Sequence, residues 1–278
     1  MSTAVNLVLS AVIVLASVAV AVTGFLLFRR RAPEGGYFTN GDRAAGVFGV
    51  LATGFAVLLG FVIFLAYTSY DNARSGAEQE ATDVIQQFET AQLFPQPASS
   101  KLSGTLICYG RSVAHIEWPL LQSGNPPAFN PWTLKLFKTF ETVVPRTASQ
   151  QAAYSKWLDQ TFDRQQARAN RVKAGRGIIP GPLWLILLVS AGLVIAYGLF
   201  FVDPAEGKLP QAMIAATLAA MVATSLLVIR FLDDPYHSGY GSLQPGAIER
   251  VLTQMHVATE GLGLNVSIPC DENGRPRS

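Results

Sequence analysis

Proton transfer near neutral pH is most readily done by histidine, and the chain has His115, His237 and His256. They stand far apart, with no acidic or cysteine neighbour at ligand spacing, so each reads as a structural residue. No GxxxxGKS/T phosphate loop and no GxSxG nucleophile elbow is present. Gly35-Gly36 and Gly261-Leu262-Gly263 read as turns. Catalysis is therefore not expected, and neither a cofactor nor a metal site is. Cys108 and Cys270 lack metal-type spacing. They are expected as free thiols in a reducing compartment, and pair only if both face an oxidising one.

Two other groups of residues suggest physical rather than covalent chemistry. Thr53, Val57 and Phe61 follow one another at four-residue steps in an apolar run, which puts them on one helical face. Phe64 and Tyr67 continue along it, and Gly54 and Gly60 offer places for a neighbouring helix to approach closely. Repeated in several copies around an axis, such a face makes an apolar constriction that gates ions by dewetting. In a single helix the same residues simply face lipid or a packed partner. The run then passes, with no glycine or proline between, into an acidic stretch. Asp71, Glu78, Glu80, Asp83 and Glu89 stand there against Arg74. A ring of such segments concentrates cations at a vestibule; a lone one is a solvated face with an Asp71–Arg74 pair at i,i+3.

The elements that must position these residues are set by hydropathy. Hydrophobic residues make up 50% of the chain and charged ones 14%, with a net charge of +2. No basic stripe interleaves with aromatics, which argues against nucleic acid as a partner. Runs of about 20 apolar residues cross a bilayer as helices because backbone groups in lipid must bond internally. Residues 5–28, 45–67, 178–202 and 210–232 meet that requirement. The first lacks the basic start and the cleavage site of a signal peptide and reads as a retained span. The expectation is an all-α integral membrane protein with four transmembrane helices in two hairpins and an α-helical soluble domain between them. Its segments are a first hairpin (1–67), a soluble domain (68–177), a second hairpin (178–232) and a soluble tail (233–278) with a short helix and a flexible end.

Within the soluble domain the apolar period is helical throughout. One stripe, Ala77, Ala81, Val84, Ile85, Phe88 and Ala91, runs on from the second span and ends at Phe94-Pro95. Ser99 or Ser100 is a cap for the next helix, which Pro119 bends or ends at Glu117-Trp118. Asn130-Pro131 offers a cap and first-turn proline for a third helix, and a fourth starts near Ser149. Arg230 near the end of the last span reaches the interface or pairs with Asp233 and Asp234. The turn Asp233, Asp234, Pro235 has too few carboxylates for calcium.

Several of these residues resemble those of a known family. Leu59-Gly60-Phe61, Leu65 and Tyr70-Asp71-Asn72 are similar to the pore-helix exit of bestrophins, and Asp234-Pro235-Tyr236-His237-Ser238-Gly239 resembles their Pro-Phe-Gly turn. The bacterial bestrophin-like family is the closer resemblance. It adds Ala73-Arg74, Glu78, Glu80-Ala81, Glu117-Trp118-Pro119, the start of the third span and Gln244-Pro245. The resemblance implies an oligomeric ion channel of the cytoplasmic membrane, a pentamer, with the second span lining the pore at Thr53, Val57, Phe61 and Phe64. Tyr70, Asp71, Asn72, Arg74 and Glu78 then form the helix exit. Only Phe61 keeps the family's aromatic neck residue; Val57 is smaller and Thr53 polar. The acidic calcium clasp of animal bestrophins is missing. Its partners are the lipid bilayer, further copies of the chain and a permeant ion of unassigned identity.

Sidedness is a contest of two signals. Arg29, Arg30, Arg31, Arg43 and Lys208 favour cytoplasmic hairpin turns, opposed by Arg74, Arg164, Arg168, Arg171, Lys173 and Arg176 in a long loop that the positive-inside rule discounts. The resemblance puts the soluble domain and both termini in the cytoplasm, and that is the expectation taken here. The rival architecture is a non-conducting, membrane-anchored interaction or sensing protein.

Overall fold

The computed structural model describes residues 3–237 and 239–277. Ser238, part of the turn motif noted above, lies outside them. Helices α1 (Thr3–Arg31), α2 (Gly41–Ala91), α7 (Gly181–Leu199) and α8 (Lys208–Asp233) are long and apolar enough to cross a membrane. Helices α3 (Ala98–Ser112), α4 (Trp118–Gln122), α5 (Pro131–Phe140), α6 (Ala148–Lys173) and α9 (Gly246–Gly261) make up most of the rest. The protein is an all-α integral membrane protein, and the described residues contain no strand beyond one isolated bridge, Cys270 with Pro276.

The chain divides into two compact units. The first holds residues 1–69, 178–233 and 238–241. There α1 lies mainly along α8, with α7 as its second partner. Phe55, Leu59 and Val62 of α2 pack with Leu187, Ala191 and Val194 of α7 and with Val222 and Ile229 of α8. At the hairpin-turn end, Arg29 donates to the carbonyl oxygens of Asp203, Pro204 and Glu206 and to Gln211 Oε1, at 2.6–2.9 Å. One guanidinium thus satisfies the exposed carbonyls of a whole turn. Phe28, Tyr37, Phe38, Phe48, Tyr197, Phe200 and Phe201 cluster at the same end. Aromatic rings of this kind suit the membrane–water interface.

The second unit holds residues 70–177, 234–237 and 242–278. Its core joins the far half of α2 (Ala73, Ala81, Val84, Phe88) to α3, α5, α6 and α9. Asn130 caps α5 by accepting from the Trp132 amide at 3.0 Å, and Thr147 caps α6 by accepting from that of Gln150 at 3.2 Å. Neither Ser99 nor Ser100 caps α3. Pro97 precedes the helix without a side-chain bond, and both serines lie within the first turn. At Glu117-Trp118, before Pro119, the helix changes type. A π-helical turn, Val113–Glu117, lets the Trp118 amide reach the Val113 carbonyl, and α4 restarts with the proline in its first turn, where no donor is needed.

The tail returns along α3 and α5. Ser267 N donates to Ser100 O and Oγ, Arg111 Nη1 to Asp271 O, and Trp132 Nε1 to Gly274 O at 2.8 Å. The two cysteines are not free thiols. Cys108 in α3 and Cys270 in the tail form a disulfide across 162 residues of sequence, and both are fully enclosed. The pairing, which the sequence ties to an oxidising compartment, is brought about by the tail returning along α3. Gly104 and Gly274 make that approach possible. A side chain on the first would meet Ser267 O, and on the second the Ser112 backbone.

Candidate functional site: the α2 face and the buried charges beside its exit

Helix α2 runs unbroken from Gly41 to Ala91, since no proline in its interior removes a donor or crowds the preceding turn. Its packed side is Phe55, Leu59, Val62 and Ala66. Thr53, Val57, Phe61 and Phe64 lie on the other side and are uncovered within the chain; the last three are 68%, 61% and 64% exposed. Gly46, Gly49, Gly54 and Gly60 have no neighbour within 4 Å of where a Cβ would stand. No contact within the chain thus accounts for these glycines. Beyond Tyr67, the exposed positions Thr68, Asp71, Ser75, Glu78 and Thr82 continue at helical spacing.

The exit residues are exposed except Tyr70, which is half-buried. Arg74 pairs with Glu78 at 3.3 Å, one turn on, rather than with Asp71. Glutamate at i+4 reaches the guanidinium along the helix side, and so exposed a pair adds little stability. Asp233 accepts from the Ile178 and Ile179 amides at 2.8 and 3.1 Å. It thereby fixes the start of the third span, which Pro180 delays to Gly181. Asp234 is half-buried and Pro235 buried.

A cluster of buried charges lies in the second unit, largely outside the expected site. Arg171 is completely enclosed. Its Nε donates to Glu80 Oε2 and its Nη2 to Glu80 Oε1 (3.1 Å) and Glu117 Oε2 (2.6 Å). Arg168 holds the other oxygen of Glu117 through Nε and Nη2, at 3.1 and 2.9 Å. Tyr109 donates to Glu80 Oε1 at 2.5 Å, and Tyr236 donates to the Arg171 carbonyl at 2.7 Å. Trp118 stands under the Arg171 guanidinium and edge-on to Tyr236, and its Nε1 donates to Leu243 O. Gly76 brings α6 this close, since a Cβ there would lie 2.8 Å from Ala167 O and Arg171 N.

Burial alone would lower the Arg171 pKa, but Glu80 and Glu117 outweigh it and hold the guanidinium charged well above its ordinary range. Burial, with the Glu80 charge behind it, pushes the Tyr109 phenol well up. Tyr236 is also raised by burial, against the pull of Arg171. Both phenols therefore stay protonated as donors. Asp83 is raised too, by burial first, with a Gln79 hydrogen bond at 2.8 Å opposing.

A signal for this cluster was present in the sequence. The buried side of α6, Ala153, Trp157, Gln160, Arg164, Ala167 and Arg171, recurs at three- and four-residue steps. Glu80 sits within the apolar stripe of α2. Arg164 and Arg171 read as part of a basic stretch because charge alone does not reveal which face turns inward.

A four-span helical membrane protein with a helical soluble unit, its second span continuing as a core helix of that unit, defines the class. The family model of the Bestrophin-like domain matches residues 15–245, and the chain belongs to that family. Among solved structures, a point variant of a bacterial bestrophin homologue from Klebsiella pneumoniae has a TM-score of 0.61 at 12% identity. It covers 87% of this chain and 98% of its own. A second variant of that homologue gives 0.65 at 11%, covering 92% and 99%, and a structure described as a membrane protein gives 0.66 at 11%, covering 89% and 98%. At these identities the likeness shows the fold. No curated protein matches the chain significantly.

Proposed function

We propose that the protein is a homo-oligomeric ion channel of the cell membrane, pentameric by resemblance to bestrophins. Its pore is lined by the Thr53, Val57, Phe61 and Phe64 face of α2, and its helix exit by Tyr70, Asp71, Asn72, Arg74 and Glu78. The observation that carries this reading is that face, left bare by the chain's own packing. Its helical register goes on past Tyr67 as Thr68, Asp71, Ser75 and Glu78, all exposed. Lipid is a natural cover for bare valine and phenylalanine but not for hydroxyls and carboxylates. A water-filled axis suits both halves of the helix, and unshared glycines on α2 suit close approach by other copies.

The pore is narrowest near Val57 and Phe61, a short apolar constriction that conducts only when wetted. Asp71 and Glu78 raise the local concentration of cations at the polar mouth. The buried charges serve as a brace, holding α6 against the far half of α2 so that the exit keeps its register.

Purified protein in planar bilayers tests the reading. Expected are unitary currents, a severalfold rise in open probability in Phe61→Ala, and a reversal potential that moves away from cation preference in Glu78→Gln. Absence of current from a stable oligomer, or a monomer in mild detergent, would favour a non-conducting interaction or sensing protein.

A further inference from the structure

We infer that the soluble helical unit and both chain termini face an oxidising compartment, outside the cytoplasm, and that the two hairpin turns are cytoplasmic. This is the reverse of the sidedness implied by resemblance. Two independent observations carry it.

The first is the Cys108–Cys270 disulfide and its setting. Both sulfurs are fully buried. The tail around Cys270 is tied to its surroundings by Arg111, Trp132 and the backbone approaches at Gly104 and Gly274. An enclosed bond in so closely fitted a segment is a structural cross-link, without the exposure that reversible thiol chemistry needs. Cytosolic thiols are kept reduced, whereas structural disulfides form and persist in oxidising compartments. Formation is balanced by thiol–disulfide exchange. The two thiols lose two protons and two electrons as the S–S bond forms, and the disulfide of a dithiol oxidase in that compartment takes them up and breaks to two thiols.

The second is the placement of basic residues beside the spans. Arg29, Arg30, Arg31 and Arg43 flank the first hairpin turn, and Lys208 opens α8 after the second. Both turns are short, so the positive-inside rule applies to them in full. Residues 68–177 exceed the roughly 60-residue loop length within which the rule holds. Three of the basic residues opposed to this placement are also internal to the fold. Arg164 and Arg171 are buried, and Arg168 and Arg171 are bound to Glu117. Groups that a folded core enclosing Glu80 and Glu117 requires say little about sidedness.

The inference is independent of the pore reading, since a channel conducts in either orientation. In intact cells, single-cysteine variants Glu260→Cys in α9 and Glu34→Cys in the first hairpin turn are treated with a membrane-impermeant maleimide, the native disulfide being left in place. Glu260→Cys is expected to react before permeabilisation and Glu34→Cys only afterwards. The opposite order, or reaction of both only after permeabilisation, overturns the assignment. As a second arm, the wild-type chain is denatured straight from cells and treated with a polyethylene-glycol maleimide. It should gain no adduct without reductant and two adducts with it. Adducts without reductant would show free thiols and remove the first observation.

Discussion

Arg171 has no access to water, and its charge persists because Glu80 and Glu117 stand on either side of its guanidinium. Losing one partner leaves an uncompensated charge in a low-dielectric interior, which costs about 3–5 kcal/mol. Glu80→Ala is accordingly expected to unfold at a much lower temperature in detergent, followed by tryptophan fluorescence. Tyr109→Phe removes one hydrogen bond to a charged group and should cost about 1.5–3 kcal/mol. A smaller loss for Glu80→Ala than for Tyr109→Phe would show that the carboxylate is not the centre of the cluster. Asp83 behaves in the opposite way. Its folded pKa is raised by burial, so the folded chain holds that proton more tightly than the unfolded one. The resulting stability is fully present below the ordinary aspartate value of 3.8 and is lost as pH rises through the folded value. Asp83→Asn should therefore be more stable than the wild type at pH 7, with the difference closing as the pH approaches 4. A difference that does not change with pH would assign the effect to packing.

Helix α2 is the element on which both units depend. Its packed side serves one core in the first unit and another in the second, while the other side is bare. Gly76 is the most exacting position on it. Gly76→Ala places a methyl group 2.8 Å from two backbone atoms of α6, atoms that cannot swing aside as a flexible side chain can. The expected result is a displaced α6, a stretched Glu80–Arg171 pair and a loss of about 1–3 kcal/mol. Gly54→Ala and Gly60→Ala meet nothing within the chain and should leave its fold intact. If they nonetheless weaken the oligomer, as read by mass measurement in detergent, then α2 packs on α2 of another copy. The π-helical turn before Pro119 shows the same economy, because one wide turn absorbs a proline that would otherwise break the helix.

For the molecule as a whole, the Cys108–Cys270 bond closes a loop of 162 residues and fastens the tail. Reduction is expected to lower stability by about 2–5 kcal/mol through the freedom it returns to the unfolded chain. The effect should be visible as a depressed melting temperature in strong reductant, and it should be absent in a Cys108→Ala, Cys270→Ala double variant. An unchanged melting temperature in the wild type would mean that tail packing alone holds the segment. If the soluble unit lies outside the cytoplasm, this cross-link is in place throughout the life of the folded protein, and the mouth proposed at Asp71 and Glu78 would sample extracytoplasmic ions.

The spans, the helical class and several helix starts were legible in the sequence because they depend on local physics: apolar length against bilayer thickness, and a cap such as Asn130. The bare and packed sides of α2 were partly legible, since periodicity groups Thr53 with Val57 and Phe61 without saying what covers them. Three things waited for the tertiary structure. Glu80, Glu117 and Arg171 met from three different helices, Cys108 met a cysteine far along the chain, and the tail joined the second unit. Each joins residues with no fixed relation in sequence. Their meeting is set by close backbone approaches, at Gly76 and Gly104, that exist only once the helices have packed.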